Sequence, residues 1–222
     1  MALKKKFIDV QMIALDSSMA VLGTPETLNK KTIKLDLSRK LRGKGMEAVF
    51  KIYAKDGKLI GFPAKLVLMK SFIRRMMRKR IDYVEDSFKT DCIEGKITLK
   101  PFLITRKRVS RAVRNNLRRT TKDFLVEYSK DKSYATIAEE LLSSELQRQM
   151  LPRLKKVYPL SFCDIRLFEA VEPDKIFEKT DIKSILEKPK IKEEAEEAQD
   201  EQIEEEKNEE VKEEISEEKE DD

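Results

Sequence analysis

Histidine and tryptophan are absent from the 222 residues, and cysteine occurs only twice. Without histidine there is no imidazole general base, no Ser-His-Asp or Cys-His nucleophile and no His-ligated metal. Cys92 and Cys163 lie too far apart for a zinc or redox motif, and such a pair fits a reducing compartment where thiols pack as small apolar side chains. No stretch approaches the roughly 18 apolar residues of a membrane span. After the basic opening Met1–Lys6, Asp9 and Gln11 interrupt what would be the apolar run of a secretion signal, so a soluble cytoplasmic protein is expected. Arg42-Gly43-Lys44-Gly45 lacks the spacing of a nucleotide phosphate loop and reads as a flexible turn able to touch a backbone phosphate. The carboxylate pairs Glu85-Asp86 and Glu139-Glu140 are sequence neighbours that do not converge on a helix face, and the eight methionines suit core filling. No nucleophile is set with a base, so no enzyme, metal, cofactor or small-molecule substrate is expected.

What the chain has in excess is charge: 40% of residues are Asp, Glu, Lys or Arg, against roughly 25% in ordinary domains. The formal net charge of +5 conceals two opposite segments. Residues 189–222 hold 18 carboxylates and 5 lysines, a net of −13, leaving +18 on residues 1–188. The acidic segment is too poor in aromatic and β-branched residues to offset a backbone ordering cost of roughly 1–2 kcal/mol per residue, so it is expected to be disordered. The expected organisation is a folded domain over 1–172, a linker over 173–188 and an acidic tail over 189–222. Two roles are open to the tail, a polyanion mimic that limits non-specific binding or a solubilising terminus.

Within the body, Phe7–Leu15, Thr32–Leu37, Ala48–Ala54, Leu59–Met69, Ile81–Phe88, Lys96–Thr105 and Phe162–Val171 carry strand patterns. Gly23, Pro25 and Asn29 mark a turn, Asp56-Gly57 a hairpin, and Glu94-Gly95 a further connection. Ser71 opens a short helix with Phe72, Ile73, Met76 and Met77 on one face. Ser110 is a suitable N-cap for a helix to about Tyr128, with Val113, Leu117, Thr120, Phe124 and Tyr128 as its apolar stripe. A helix to Leu142 follows Asp131 or Ser133, and another spans Glu145–Val157, where the ring of Pro152 opposes the carbonyl of Arg148. The class is α+β.

Residues 65–122 contain 18 basic and 5 acidic side chains, a net of +13. Arg111, Arg114, Arg118 and Lys122 recur about once per helical turn, with Arg119 beside them, and Arg106-Lys107-Arg108 lead into the helix. A second cluster is Arg74, Arg75, Arg78, Lys79 and Arg80. Charge runs are ordinarily solvated faces, but an excess of like charge this large repels itself unless a polyanion neutralises it. Arginine is also the side chain that forks two hydrogen bonds onto phosphate. Because the cations are spread over strands, a loop and two helices, nucleic acid is favoured over a membrane surface. No helix-turn-helix, zinc finger, basic zipper, KH loop or RRM aromatic motif is visible, which argues against a DNA sequence reader and for phosphate-led RNA binding.

Three sequence blocks resemble one family. Val157-Tyr158-Pro159-Leu160 after a charged helix, then Cys163-Asp164-Ile165-Arg166-Leu167, are similar to an Ile-Tyr-Pro-Leu and strand of the small-subunit ribosomal proteins called S-three-A-e, also e-S-one. Phe102–Arg108 leading into the basic helix at 111–127, and Phe7-Ile8-Asp9-Val10 with Leu22-Gly23-Thr24, extend the likeness over about residues 5–172. The stretch Lys30–Leu37 lacks the family's Gly and Glu, so its contacts are not carried over, and the chain looks like a divergent, archaeal-type member. The resemblance implies a β-barrel-like core of about six to seven strands with flanking basic helices. It also implies a place on the platform of the small subunit near the messenger exit, in the cytoplasm, with small-subunit ribosomal RNA and neighbouring ribosomal proteins as partners. On that reading Arg106, Lys107, Arg108, Arg111, Arg114, Arg118 and Arg119 form the main phosphate clamp, and Arg74, Arg75, Arg78, Lys79 and Arg80 a second patch, with Lys4–Lys6 as a short arm. A non-ribosomal RNA chaperone would use the same cations.

Overall fold

The structure, a computed structural model, describes residues 6–15, 17–55 and 58–180. The expected acidic tail, the Asp56-Gly57 turn and most of the Lys4–Lys6 arm lie outside them. Nine strands and six helices form an α+β body: β1 (Lys6–Met12), β2 (Ser17–Gly23), α1 (Pro25–Leu28), β3 (Thr32–Asp36), β4 (Met46–Lys55), β5 (Lys58–Leu68), α2 (Lys70–Met76), β6 (Tyr83–Glu85), β7 (Phe88–Asp91), β8 (Lys96–Thr105), α3 (Arg111–Lys130), α4 (Tyr134–Ser143), α5 (Glu145–Lys155), β9 (Leu160–Ala170) and α6 (Pro173–Lys179).

The strands make one mixed sheet that branches instead of closing. β5 pairs along one edge with β4, which carries β3; its other edge is shared by β1, in parallel, and β9. β9 continues to β8, whose far edge is divided between β6 and β7. The expected barrel-like core of six to seven strands is therefore corrected to an open nine-stranded sheet. A physical reason lies at the β8 edge. β6 and β7 are only three and four residues long, and α3 packs on them through Arg118 Nε donating to the Glu85 carbonyl (3.1 Å) and a Thr90–Ser129 hydroxyl pair (2.9 Å). A helix covers the edge where barrel closure would need another strand.

Both strand prolines stand at bulges, where the missing N–H breaks no ladder bond. Val49 pairs Lys65 and Phe50 pairs Pro63, leaving Ala64 as the extra residue of β5. Lys100 pairs Leu167 and Pro101 pairs Ile165, leaving Arg166 as the extra residue of β9. The first bulge frees carbonyls that the core uses: fully buried Tyr134 donates its hydroxyl to Pro63 O (2.6 Å), while its ring stacks between Phe62 (5.0 Å) and Phe168 (4.8 Å). Ser133 caps α4 by accepting from Thr136 N, which sets the Tyr134 ring beneath the sheet.

Two further departures from the sequence patterns, and the expected passage of a helix through Pro152, have local causes. Ser17–Gly23, where only the Gly23 turn was marked, pairs along its length with β1. α5 runs past Pro152 to Lys155, held by buried Leu146, Met150 and Leu154 at four-residue spacing while Pro152 itself is exposed. The expected linker at 173–188 opens instead with α6. Phe177 stacks on Tyr53 (4.0 Å), and Asp174 accepts from Lys51 (2.6 Å) and the Tyr53 hydroxyl (2.5 Å), bonds that hold its carboxyl below the usual range. Ile176 is buried over Gly95, where a Cβ would come within 2.8 Å of Ile176 Cγ1.

Candidate nucleic-acid interface

The two basic clusters, separated by more than twenty residues in sequence, are joined at one end of the sheet by Thr105 and Asp82. β6 and β8 are antiparallel, with Tyr83 opposite Ile104, so the next step of the ladder sets Asp82 against Thr105. Thr105 N donates to Asp82 O (2.9 Å) and Asp82 N to Thr105 Oγ1 (3.1 Å). The same hydroxyl, fully buried, reaches Asp82 O (2.9 Å) and Lys107 O (2.7 Å). Asp82 Oδ2 then accepts from Val109 N (3.0 Å), pinning the loop that carries Arg106, Lys107 and Arg108. Arg80 stands two residues before Asp82 in the left-handed region (φ 67°), a conformation costly for a side chain of its size.

Ser110 caps α3 by accepting from Val113 N (3.4 Å). The buried stripe of α3 is Leu117, Thr121, Phe124, Leu125 and Ser129, rotated from the expected Val113, Leu117, Thr120, Phe124, Tyr128. Arg111, Arg119 and Lys122 are exposed and Arg114 is half-buried. Arg118, half-buried, flanks the buried stripe and is tied back onto the chain by Glu85 O and by Asn115 Oδ1 (3.0 Å). It is thus a link between α3 and β6 as much as a surface cation.

α2 hangs on one buried residue, Phe72; Met76 and Met77 of its expected apolar face are exposed. Arg74, Arg75, Arg78, Lys79 and Arg80 all face solvent, with Arg75 lying over the Phe72 ring (5.6 Å). Phe72 sits against Gly45, where a Cβ would come within 2.9 Å of its own Cβ. Gly45→Ala is accordingly expected to push α2 off its seat, costing about 1–3 kcal/mol in thermal denaturation and loosening the Arg74–Arg80 patch.

None of the twelve cations named from the sequence forms an ion pair with a described residue. The pairs present engage other cations, among them Lys65–Glu169, Arg153–Glu127 and Arg166–Glu85. Lys44, which the sequence offered as a phosphate contact, is instead bound to buried Asp164 (2.7 Å). Sequence reasoning also passed over Lys65, Lys100 and Arg166, which lie singly in strands and make no run. No helix among the described residues is long and apolar enough to cross a membrane.

The fold and this face together define an α+β protein that presents a row of arginines, unpaired with carboxylates among the described residues, on a hydrogen-bonded loop–helix unit, an arrangement suited to a phosphate backbone. Residues 24–173, which include every one of those twelve cations, match the Ribosomal S3Ae family, and the chain belongs to that family. It is similar to the small ribosomal subunit protein eS1 of Nanoarchaeum equitans (27% identical over 124 residues, 55% of this chain and 63% of that protein). It is also similar to the small ribosomal subunit protein eS1 of Thermoplasma acidophilum (24% over 165 residues, 69% and 74%) and to that of Thermoplasma volcanium (27% over 103 residues, 45% and 47%). The first of these matches spans less than two thirds of the relative's length.

Proposed function

We propose that this chain is a non-catalytic structural constituent of the small ribosomal subunit. It binds ribosomal RNA phosphates through the Arg106–Arg108 loop, the first turns of α3 and the Arg74–Arg80 segment. The observation that carries the reading is the joining of two cation clusters by the Thr105–Asp82 bonds, with no carboxylate among the described residues pairing any of their side chains. Family membership and the names of its relatives support the ribosome as the setting. A seat on the platform near the messenger exit, among other small-subunit proteins, completes the proposal and rests on the family resemblance.

Sucrose-gradient sedimentation of the tagged full chain from a native lysate tests it, with one sample washed in high salt and one treated with ribonuclease. Stoichiometric migration with the small subunit after the wash is expected. Release by salt into light fractions with heterogeneous RNA would instead identify an RNA chaperone. Light migration indifferent to ribonuclease would remove RNA from the account.

A further inference from the structure

Beside the arginine face, on the sheet surface, lies an open groove of about 600 Å³. Its floor is apolar: Val67, Leu167 and Pro101, the first two directly paired across β5 and β9 and half-exposed. The bulge that accommodates Pro101 leaves Arg166 without a partner in the ladder and turns it into the groove, a common use of bulges beside functional sites. Glu85 fixes the Arg166 guanidinium (2.7 Å), so the groove is lined by a held cation together with apolar side chains. Lys65 and Lys100 stand at the rim; Lys65 is paired to Glu169 at 3.3 Å, while Lys100 meets no carboxylate among the described residues. Asp86 also lines the groove, and among the described residues its carboxylate receives the N–H of Ser87 (2.8 Å). Glu85 connects the groove to the arginine face, since its carbonyl accepts from Arg118 of α3.

We propose that this groove receives one unpaired nucleotide of the RNA whose backbone lies on the arginine face, an inference that rests on the RNA-binding reading. A guanidinium plane and an apolar floor take the flat faces of an unstacked base. Lys100 meets its phosphate, and the Asp86 carboxylate accepts from base N–H groups. The groove volume falls within the ordinary range of small-ligand sites.

The test compares the full chain binding two RNA hairpins by fluorescence anisotropy at fixed salt, one fully paired and one with a single bulged guanosine. The bulged hairpin is expected to bind about tenfold tighter. Lys100→Ala, a half-exposed position with no ion pair to a described residue, is expected to abolish that preference while leaving the paired hairpin within about twofold. Arg106→Ala is expected to weaken both hairpins equally. Equal affinity of the native chain for the two hairpins, or a parallel loss on both in Lys100→Ala, overturns the groove and leaves the backbone reading standing. Absence of salt-dependent binding to either overturns both. Methyl NMR supplies a second readout: guanosine monophosphate should shift Val67 and Leu167, and shifts produced only by a peptide of residues 189–222 would make the groove a peptide site instead.

Discussion

Replacing Arg106, Arg108 and Arg111 together by alanine is expected to weaken binding to structured RNA by roughly 10²- to 10³-fold near 100 mM salt, at about one charge-assisted hydrogen bond lost per arginine. The dependence of log affinity on log salt should become shallower by roughly two to three, because each phosphate contact releases about one counterion. All three side chains are exposed, and none pairs with a carboxylate among the described residues, so circular dichroism and melting temperature should be unchanged. Arg153→Ala is the matched control. That residue is also exposed and helical, but it pairs with Glu127 (2.7 Å) and lies over the Phe124 ring, and its loss should leave RNA affinity within about twofold. A salt slope unchanged in the triple variant would remove the clamp. Arg118 is left out of the triple on structural grounds: its removal also frees the Glu85 carbonyl and loosens α3 from β6, so a loss of affinity there would have two causes.

The basic clusters were legible in sequence because like charge in excess is a compositional fact, and because Ser110 announces the helix that displays part of it. How the clusters meet was not. The joint is made by Thr105 and Asp82, a hydroxyl and a carboxylate of kinds that occur all along the chain, and only the β6–β8 register shows that they face each other. The α3 stripe was misphased for a related reason. Thr121 and Ser129 are buried yet polar, and each satisfies itself by donating to the carbonyl four residues back, Leu117 O (2.7 Å) and Leu125 O (2.8 Å). A hydrophobicity pattern assigns such residues to the solvent side. The barrel expectation came from family likeness and not from periodicity, which reports which residues alternate but says nothing about whether the last strand reaches the first. α6 was hidden by its proline and charges, while the features that dock it are distant partners: Tyr53 for Phe177, Lys51 for Asp174 and the bare Gly95 under Ile176.

Lys44 shows how the same residue type can serve the interior, and its partner gives the largest expected loss of stability. Asp164 is buried on β9, where its carboxylate accepts from Lys44 Nζ (2.7 Å), Gln147 Nε2 (2.7 Å) and Ile165 N (2.8 Å). It ties the 37–45 loop and α5 to the sheet. Gln147 has little in reserve, because its amide also donates to Leu141 O (3.2 Å) and its Oε1 has no partner among the described residues. Asp164→Ala strands a mostly buried ammonium, and removing one member of such a pair costs about 3–5 kcal/mol. At roughly 2–4 °C per kcal/mol for a body of this size, the melting temperature should fall by about 10 °C. The double variant Asp164→Ala with Lys44→Met should recover a large part of that loss, since it no longer leaves an unpaired charge; a coupling below about 0.5 kcal/mol in the double-mutant cycle would refute the pairing. The consequence reaches the basic face through one covalent bond. Gly45, next to Lys44, is the seat of Phe72, and its carbonyl accepts from Met69 N (2.9 Å) at the start of α2. Freeing Lys44 should therefore raise amide exchange in α2 ahead of α3 and weaken RNA binding by the share that Arg74–Arg80 contribute, with the Arg106–Arg111 contribution and its salt slope retained.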